Sequence, residues 1–151
     1  MQEKQAKTDV PDIKLFNHRM EAQLRFNDID ILGHLNNTVY FSLYDMGKAR
    51  YLEATGLRAR GMSRPDTVIA DIHCAYLQPI HFDDKIEVLT RCSHIGEKSY
   101  TLEQMLVDDH GVVRSVCRTV MVYVDVEAGH AAPLPPGHIE KFERFEAKEL
   151  K

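Results

Sequence analysis

Arg25-Phe26-Asn27-Asp28-Ile29-Asp30-Ile31-Leu32-Gly33-His34-Leu35-Asn36-Asn37-Thr38-Val39-Tyr40 joins a predicted strand to a predicted long helix. Upstream of the joint, His18 to Phe26 reads as a strand. Downstream, Asn37 to Thr55 reads as one helix, with Asn36 as a good N-cap and Gly56 as its stop signal. Val39, Leu43, Met46 or Gly47, and Arg50 follow three- and four-residue steps, and Tyr40, Tyr44 and Tyr51 broaden the apolar face. This pattern predicts a helix buried over much of its circumference. Gly47 lowers helicity by ~1 kcal/mol relative to Ala, so close backbone packing is the expected reason for it.

Past the loop Arg58-Ala59-Arg60-Gly61-Met62-Ser63-Arg64-Pro65 the pattern turns to β. Thr67 to Gln78 reads as a long strand closed by Pro79. Lys85 to Ile95 and Lys98 to Asp108 read as a hairpin around Gly96-Glu97, and Val112 to Val126 as a further strand after the turn Asp109-His110-Gly111. Pro133-Leu134-Pro135-Pro136-Gly137 breaks the chain before a short charged helix, Ile139 to Lys151. The order predicts an α+β fold in which a strongly curved, five-stranded antiparallel sheet wraps one long central helix. A single helix cannot cover both faces of five long strands, so dimerisation or higher assembly is expected. No repeat or linker divides residues 1–151, which read as one domain with an ordered core of about 18–145 and a frayed N-terminal lead-in.

A net charge of −4 argues against a general nucleic-acid binder. No apolar run approaches the ~20 residues needed to span a bilayer. Met1 to Lys14 lacks the apolar core of a secretory signal, so no membrane partner is expected. Cys74, Cys92 and Cys117 are widely spaced, with no CxxC or Cys/His cluster, and indicate neither a zinc site nor a disulfide framework. Free cysteines in strands act as small core hydrophobes, and a reducing, cytoplasmic location fits. His73 and Cys74 are neighbours on a strand and face opposite sides, which argues against joint metal ligation. Arg58, Arg60 and Arg64 form a basic group that a surface loop explains equally well.

The joint itself carries the chemistry. A loop there can aim a carboxylate while free N–H groups of the helix's first turn receive a developing oxyanion. Phe26-x-Asp28-x-Asp30-x-x-Gly33-His34-x-Asn36-Asn37-x-x-Tyr40 resembles the signature of the 4-hydroxybenzoyl-CoA thioesterase-like branch of the hotdog-fold superfamily. The resemblance continues through Tyr76-Leu77-Gln78-Pro79-Ile80-x-Phe82-Asp83-Asp84, Ile95-Gly96-x-Lys98-Ser99 and Val124-Asp125, and covers about residues 20 to 145. It implies a hotdog sheet around a helix, and a homodimer or homotetramer with active sites at the dimer interface. The implied activity is hydrolysis of an acyl-CoA to a free acid and coenzyme A. Coenzyme A enters as part of the substrate, and the resemblance implies no cofactor and no metal.

On that resemblance Asp30 is the catalytic carboxylate, acting either as nucleophile or as the base that activates water. Asn37 supplies its backbone N–H to the thioester oxygen, while the side chains of Asn36 and Asn37 read as helix caps. Gly33 lets the loop turn tightly beside substrate. His34 reads either as a hydrogen-bonding partner of the carbonyl or of Asp30, or as a structural loop histidine. Asp28 reads as structural. Lys98 and Ser99 match positions that hold coenzyme A phosphates. Two alternatives stand beside this reading: a thioesterase acting on acyl carrier protein, and a non-catalytic hotdog domain that binds acyl thioesters. A pure binder has no need of the Asp30 carboxylate.

Overall fold

The computed structural model describes residues 8–59 and 66–151, so Arg60 and Arg64 of the basic group lie outside the described residues. Strand β1 (His18–Ala22) leads through the joint into helix α1 (Asn37–Thr55). Strands β2 (Thr67–Tyr76), β3 (Ile86–Ile95), β4 (Ser99–Asp108) and β5 (Val113–Asp125) follow, then a two-residue β6 (His130–Ala131) and helix α2 (Pro136–Glu146). The strands form one antiparallel sheet in the order β1-β3-β4-β5-β2, with β6 paired to the end of β5. This is the curled α+β sheet around a long helix that the resemblance implied, with β6 as an added sixth strand and α2 as a second helix.

Local signals set the bounds of α1. The Asn36 side chain accepts the Thr38 N–H at 3.0 Å, satisfying one of the first turn's orphan donors. Gly56 ends the helix in the left-handed region at φ 84°, its N–H turned back to Glu53 and Leu52. Tyr40, Leu43, Tyr44, Gly47, Lys48, Tyr51 and Thr55 are buried, which places one face of the helix on the sheet. The helix is therefore less enclosed than its tyrosines suggested: Phe41 and Met46 on the opposite flank remain exposed.

Gly47 is where helix and sheet come closest. A Cβ there would meet Val88 Cγ1 at 2.5 Å and Gln104 Nε2 at 2.9 Å. Gln104 spans the contact, donating from Nε2 to the Tyr44 carbonyl at 2.9 Å and to Thr90 Oγ1 at 3.0 Å. Deeper along α1, the Tyr51 hydroxyl accepts the Cys92 N–H at 3.0 Å and donates to Glu146 at 2.9 Å. That pair of bonds joins α1, β3 and the end of α2.

The other face of the sheet is covered by the segment before β1. Ile13 and Phe16 pack on Leu89, Met105, Val107 and Val116, and the Arg91 guanidinium sits over the Phe16 ring. Packed structure thus begins ahead of residue 18, where an irregular apolar pair offers no periodicity to read. It also extends past residue 145, since Leu150 is buried. Strand β1 ends at Ala22 rather than at Phe26, because Phe26–Asp28 forms a tight helical turn closed by the Asp28 carboxylate on the Arg25 N–H at 2.9 Å. Helix α2 starts earlier than expected, at Pro136, a residue suited to a first helical turn. None of the described helices is long and apolar enough to cross a membrane.

Candidate active site

Residues 28 to 36 form a closed loop between the short turn and α1. Its ends are tied by the Asn36 N–H to the Asp28 carbonyl at 2.8 Å and by a bridge between Ile29 and Leu35. Asp28 is buried, and burial works against its charge, yet the hydrogen bonds and charge of Arg25 outweigh that and hold its carboxyl below the usual range. Asp28 is a structural anchor, as its residue type suggested.

Asp30 sits inside this frame. Its N–H donates to the His34 carbonyl at 2.8 Å, and its carbonyl accepts the Gly33 N–H at 3.0 Å. Gly33 adopts φ 78°, which lets the chain reverse without the strain a Cβ would bring. One carboxylate oxygen, Oδ1, accepts the N–H groups of Leu32 at 2.9 Å and His34 at 3.3 Å. The loop therefore occupies one oxygen of Asp30 and leaves the other uncommitted among the described residues.

A pocket of about 450 Å³ opens beside that carboxylate, lined by Asp30, His34, Leu35, Asn37, Tyr40, Tyr76, Leu77, Gln78 and Pro79. Asn37 is the first residue of α1. The Asn36 side chain takes the N–H of Thr38, and the Asn36 carbonyl takes that of Val39. A first-turn N–H has no intrahelical acceptor, so the Asn37 donor is left for whatever enters the pocket. Asp30 and Asn37 thus line one cavity at the positive end of a helix.

The wall opposite is Tyr76 and the strap that follows it. Tyr76 donates its hydroxyl to the Asn37 carbonyl at 3.2 Å and meets the Tyr40 ring edge-on at 4.7 Å. Burial pushes the Tyr40 phenol up, so it remains a neutral donor at physiological pH. Arg114 holds the strap from below. Its carbonyl accepts the N–H groups of Leu77 and Gln78, and its guanidinium bonds the Pro79 carbonyl, Asp84 at 3.1 Å and Asp108 at 2.9 Å. The doubled use of the Arg114 carbonyl also ends β2 at Tyr76 rather than Gln78. His81 and Asp84, residue types suited to a metal, are tied into this strap instead, with the His81 N–H on Asp84 at 2.7 Å. Among the described residues, no group of three or more His, Cys, Asp or Glu side chains is placed to hold a metal ion.

The structure brings Asp30, His34 and Asn37 together, with Gly33 at the turn between them. His34 also packs edge-on against His81 at 5.2 Å. Lys98 and Ser99 are not part of this assembly. They lie at the opposite end of the sheet, Ser99 in register with Val122 on β5, whereas Tyr76 is in register with Ser115. At ~3.3 Å per residue, the stretch of β5 between those levels is roughly 23 Å long. Two residues of the site had no role assigned from sequence: Tyr76 stood only as the first residue of the motif that runs to Asp84, and Arg114 had no local signal.

A model of the thioesterase-like superfamily matches residues 24–142 of the sequence, which takes in the loop, α1 and strands β2 to β5. The chain belongs to the thioesterase-like superfamily. This superfamily member is similar in structure to a thioesterase from Thermus thermophilus solved in complex with coenzyme A and Zn. The TM-score is 0.83 at 28% identity, over 91% of this chain and 100% of that one. It is also 25% identical over 116 residues to the uncharacterized protein YsmA of Bacillus subtilis strain 168, covering 77% of this chain and 78% of that protein. A shorter stretch of 78 residues is 28% identical to the chloroplastic acyl-acyl carrier protein thioesterase ATL3 of Arabidopsis thaliana, covering 50% of this chain and 41% of that protein.

Proposed function

We propose that this thioesterase-like protein hydrolyses acyl-CoA thioesters to a free acid and coenzyme A, with Asp30 as the reacting carboxylate. The observation that carries the reading is the shared pocket: one Asp30 oxygen is held by the loop, and Asp30 and Asn37, the first residue of α1, line the same cavity. A thioester carbonyl accepting from Asn37 has its carbon beside Asp30. Attack by the carboxylate, or by a water it deprotonates, then places the developing negative charge on the oxygen at the helix N-terminus. His34 and the Tyr76 hydroxyl flank the approach. Family membership supports the hydrolase class, and the similarity to a thioesterase solved with coenzyme A supports that carrier.

Lys98 and Ser99 serve this site only across a subunit boundary, given their place at the far end of the sheet. We therefore propose a homodimer or homotetramer in which the hairpin of one subunit contacts the coenzyme A phosphates at the pocket of another. Exposed Ile31 and Leu32 on the Asp30 loop, and Phe41 and Met46 on α1, supply apolar surface for such assembly. The stretch similar to an acyl-acyl carrier protein thioesterase favours one second reading, with a protein carrier in place of coenzyme A. Thiol release from a panel of acyl-CoAs and acyl carrier protein thioesters, with Asp30→Asn beside the wild type, tests both. Turnover of acyl-CoA that disappears in the variant supports the first reading. Turnover confined to the protein carrier supports the second, and no turnover of either by the wild type defeats both.

A further inference from the structure

Cys74 on β2 and Cys117 on β5 are register partners in adjacent antiparallel strands. The Leu77 N–H donates to the Arg114 carbonyl, which makes that register position a hydrogen-bonded one. Ladder positions alternate, so three steps along, Cys74 and Cys117 occupy a non-hydrogen-bonded position. There the Cα atoms of facing residues approach to ~4.5 Å and the side chains are closest. A disulfide requires Cα atoms ~4.4–6.8 Å apart, a span that this backbone position already provides. Both side chains point to the face covered by α1, where both pack with the cluster containing Leu43 and Tyr44.

The two thiols are not equivalent. Cys74 is half-buried, with its sulfur 3.5 Å from Ser115 Oγ, and Cys117 is buried, with its sulfur 3.9 Å from Thr119 Oγ1. A hydrogen bond from Cys117 outweighs burial and, together with Ser115 and Tyr76, holds the Cys74 thiol below the ordinary thiol range. The same bond, with burial, pushes Cys117 up. The third cysteine, Cys92, is buried on β3, and burial pushes its thiol up to about 12. Reactivity follows thiolate character and access, so the three cysteines separate into one that meets an oxidant, one placed to resolve it, and one inert.

We propose that Cys74 and Cys117 form a two-thiol oxidation site, in which a hydroperoxide oxidises Cys74 and Cys117 closes a cross-strand disulfide. In the first step the Cys74 thiolate attacks the peroxide. An S–O bond forms, the O–O bond breaks, and the departing alkoxide or hydroxide takes up a proton. In the second step the Cys117 sulfur attacks the resulting sulfenic acid. The S–S bond forms, the S–O bond breaks, and the oxygen leaves as water with the Cys117 proton. Two thiols lose two electrons and two protons, and the peroxide is reduced to an alcohol or water plus a second water. The bond ties edge strand β2, which carries Tyr76 two residues further on, to β5. This chemistry does not depend on the proposed hydrolysis, and its readout is a mass rather than a rate.

The full chain is treated with hydrogen peroxide at neutral pH, alkylated under denaturing conditions and digested without reductant. The expected product is a Cys74–Cys117 linked peptide, lighter by two hydrogens than the sum of its parts and released by dithiothreitol, with Cys92 still alkylated. Cys117→Ser abolishes the link and leaves Cys74 to be trapped by dimedone as a sulfenic acid. The wild-type peptide map stands by itself should that variant fold poorly. A link through Cys92, labelling of Cys92 ahead of Cys74, or an unreacted Cys74 under peroxide that oxidises free cysteine overturns the proposal.

Discussion

Replacing Asp30 by Asn separates the loop's architecture from its chemistry. Oδ1 of Asp30 accepts two backbone N–H groups, from Leu32 and His34. Asn keeps an oxygen in that place, so both bonds survive, each weakened by about 1 kcal/mol through loss of charge assistance in an exposed loop. A loss of that size moves the melting temperature of a domain this long by only ~2–4 °C per kcal/mol. The uncommitted oxygen becomes an amide nitrogen, which neither attacks a thioester nor takes a proton from water. A positioned general base contributes ~10²–10⁴ in rate, which corresponds to ~3–5 kcal/mol of barrier. The rate effect therefore exceeds the ~2 kcal/mol that the two loop bonds lose together. Thiol release from the best acyl-CoA of the panel, read with a colorimetric thiol reagent, measures the first, and thermal unfolding measures the second. Asp30→Ala is the companion variant, losing both loop bonds together with the carboxylate. A folded Asp30→Asn protein that turns over within about tenfold of wild type refutes the carboxylate's role, since that leaves less than ~1.4 kcal/mol for it.

Three further expectations concern the scaffold. Gly47→Ala sets a methyl 2.5 Å from Val88 Cγ1 and against Gln104. Overpacking of ~1–3 kcal/mol exceeds the ~1 kcal/mol of helix propensity gained, so the urea midpoint should fall, and a rise contradicts the close approach. Burial holds the Glu146 carboxyl above its ordinary range, so the folded chain binds that proton more tightly than the unfolded one. Wild-type stability from this group is present below the ordinary carboxylate pKa and is lost as pH rises through the folded value. Glu146→Gln, which keeps an acceptor for Tyr51, should thus gain on wild type at neutral pH and lose the advantage toward pH 4; urea unfolding with the same difference at both pH values rules this out. Arg114→Gln strands Asp108, whose side chain is 4% exposed, and removal of one partner of a buried pair costs ~3–5 kcal/mol. A loss below about 1 kcal/mol in urea unfolding would show that the strap beneath the pocket is held by something else.

Elements whose limits rest on neighbours in sequence were legible. Asn36 and Gly56 bound α1 because cap and stop act within one turn, and β3, β4 and β5 came within a residue or so of their expected ends because their hairpins close locally. The meeting of Asp30, Gly33, His34 and Asn37 was legible for the same reason: one short loop and the first residue of the helix it enters hold all four. The docking of Ile13 and Phe16 was not, because an isolated apolar pair has no period, and its partners Leu89, Met105 and Val116 lie far along the chain.

The sequence by itself determined a curved sheet around one long central helix and the cluster at the head of that helix, since both follow from alternation, caps and one motif read over short spans. Only the tertiary structure decided which face of α1 is buried, that Tyr76 and the Arg114-held strap complete the pocket, that Lys98 and Ser99 stand at the other end of the sheet, and that Cys74 faces Cys117. Each of these depends on strand register, which sums many weak contacts between residues distant in sequence. No local pattern of residue types encodes that sum.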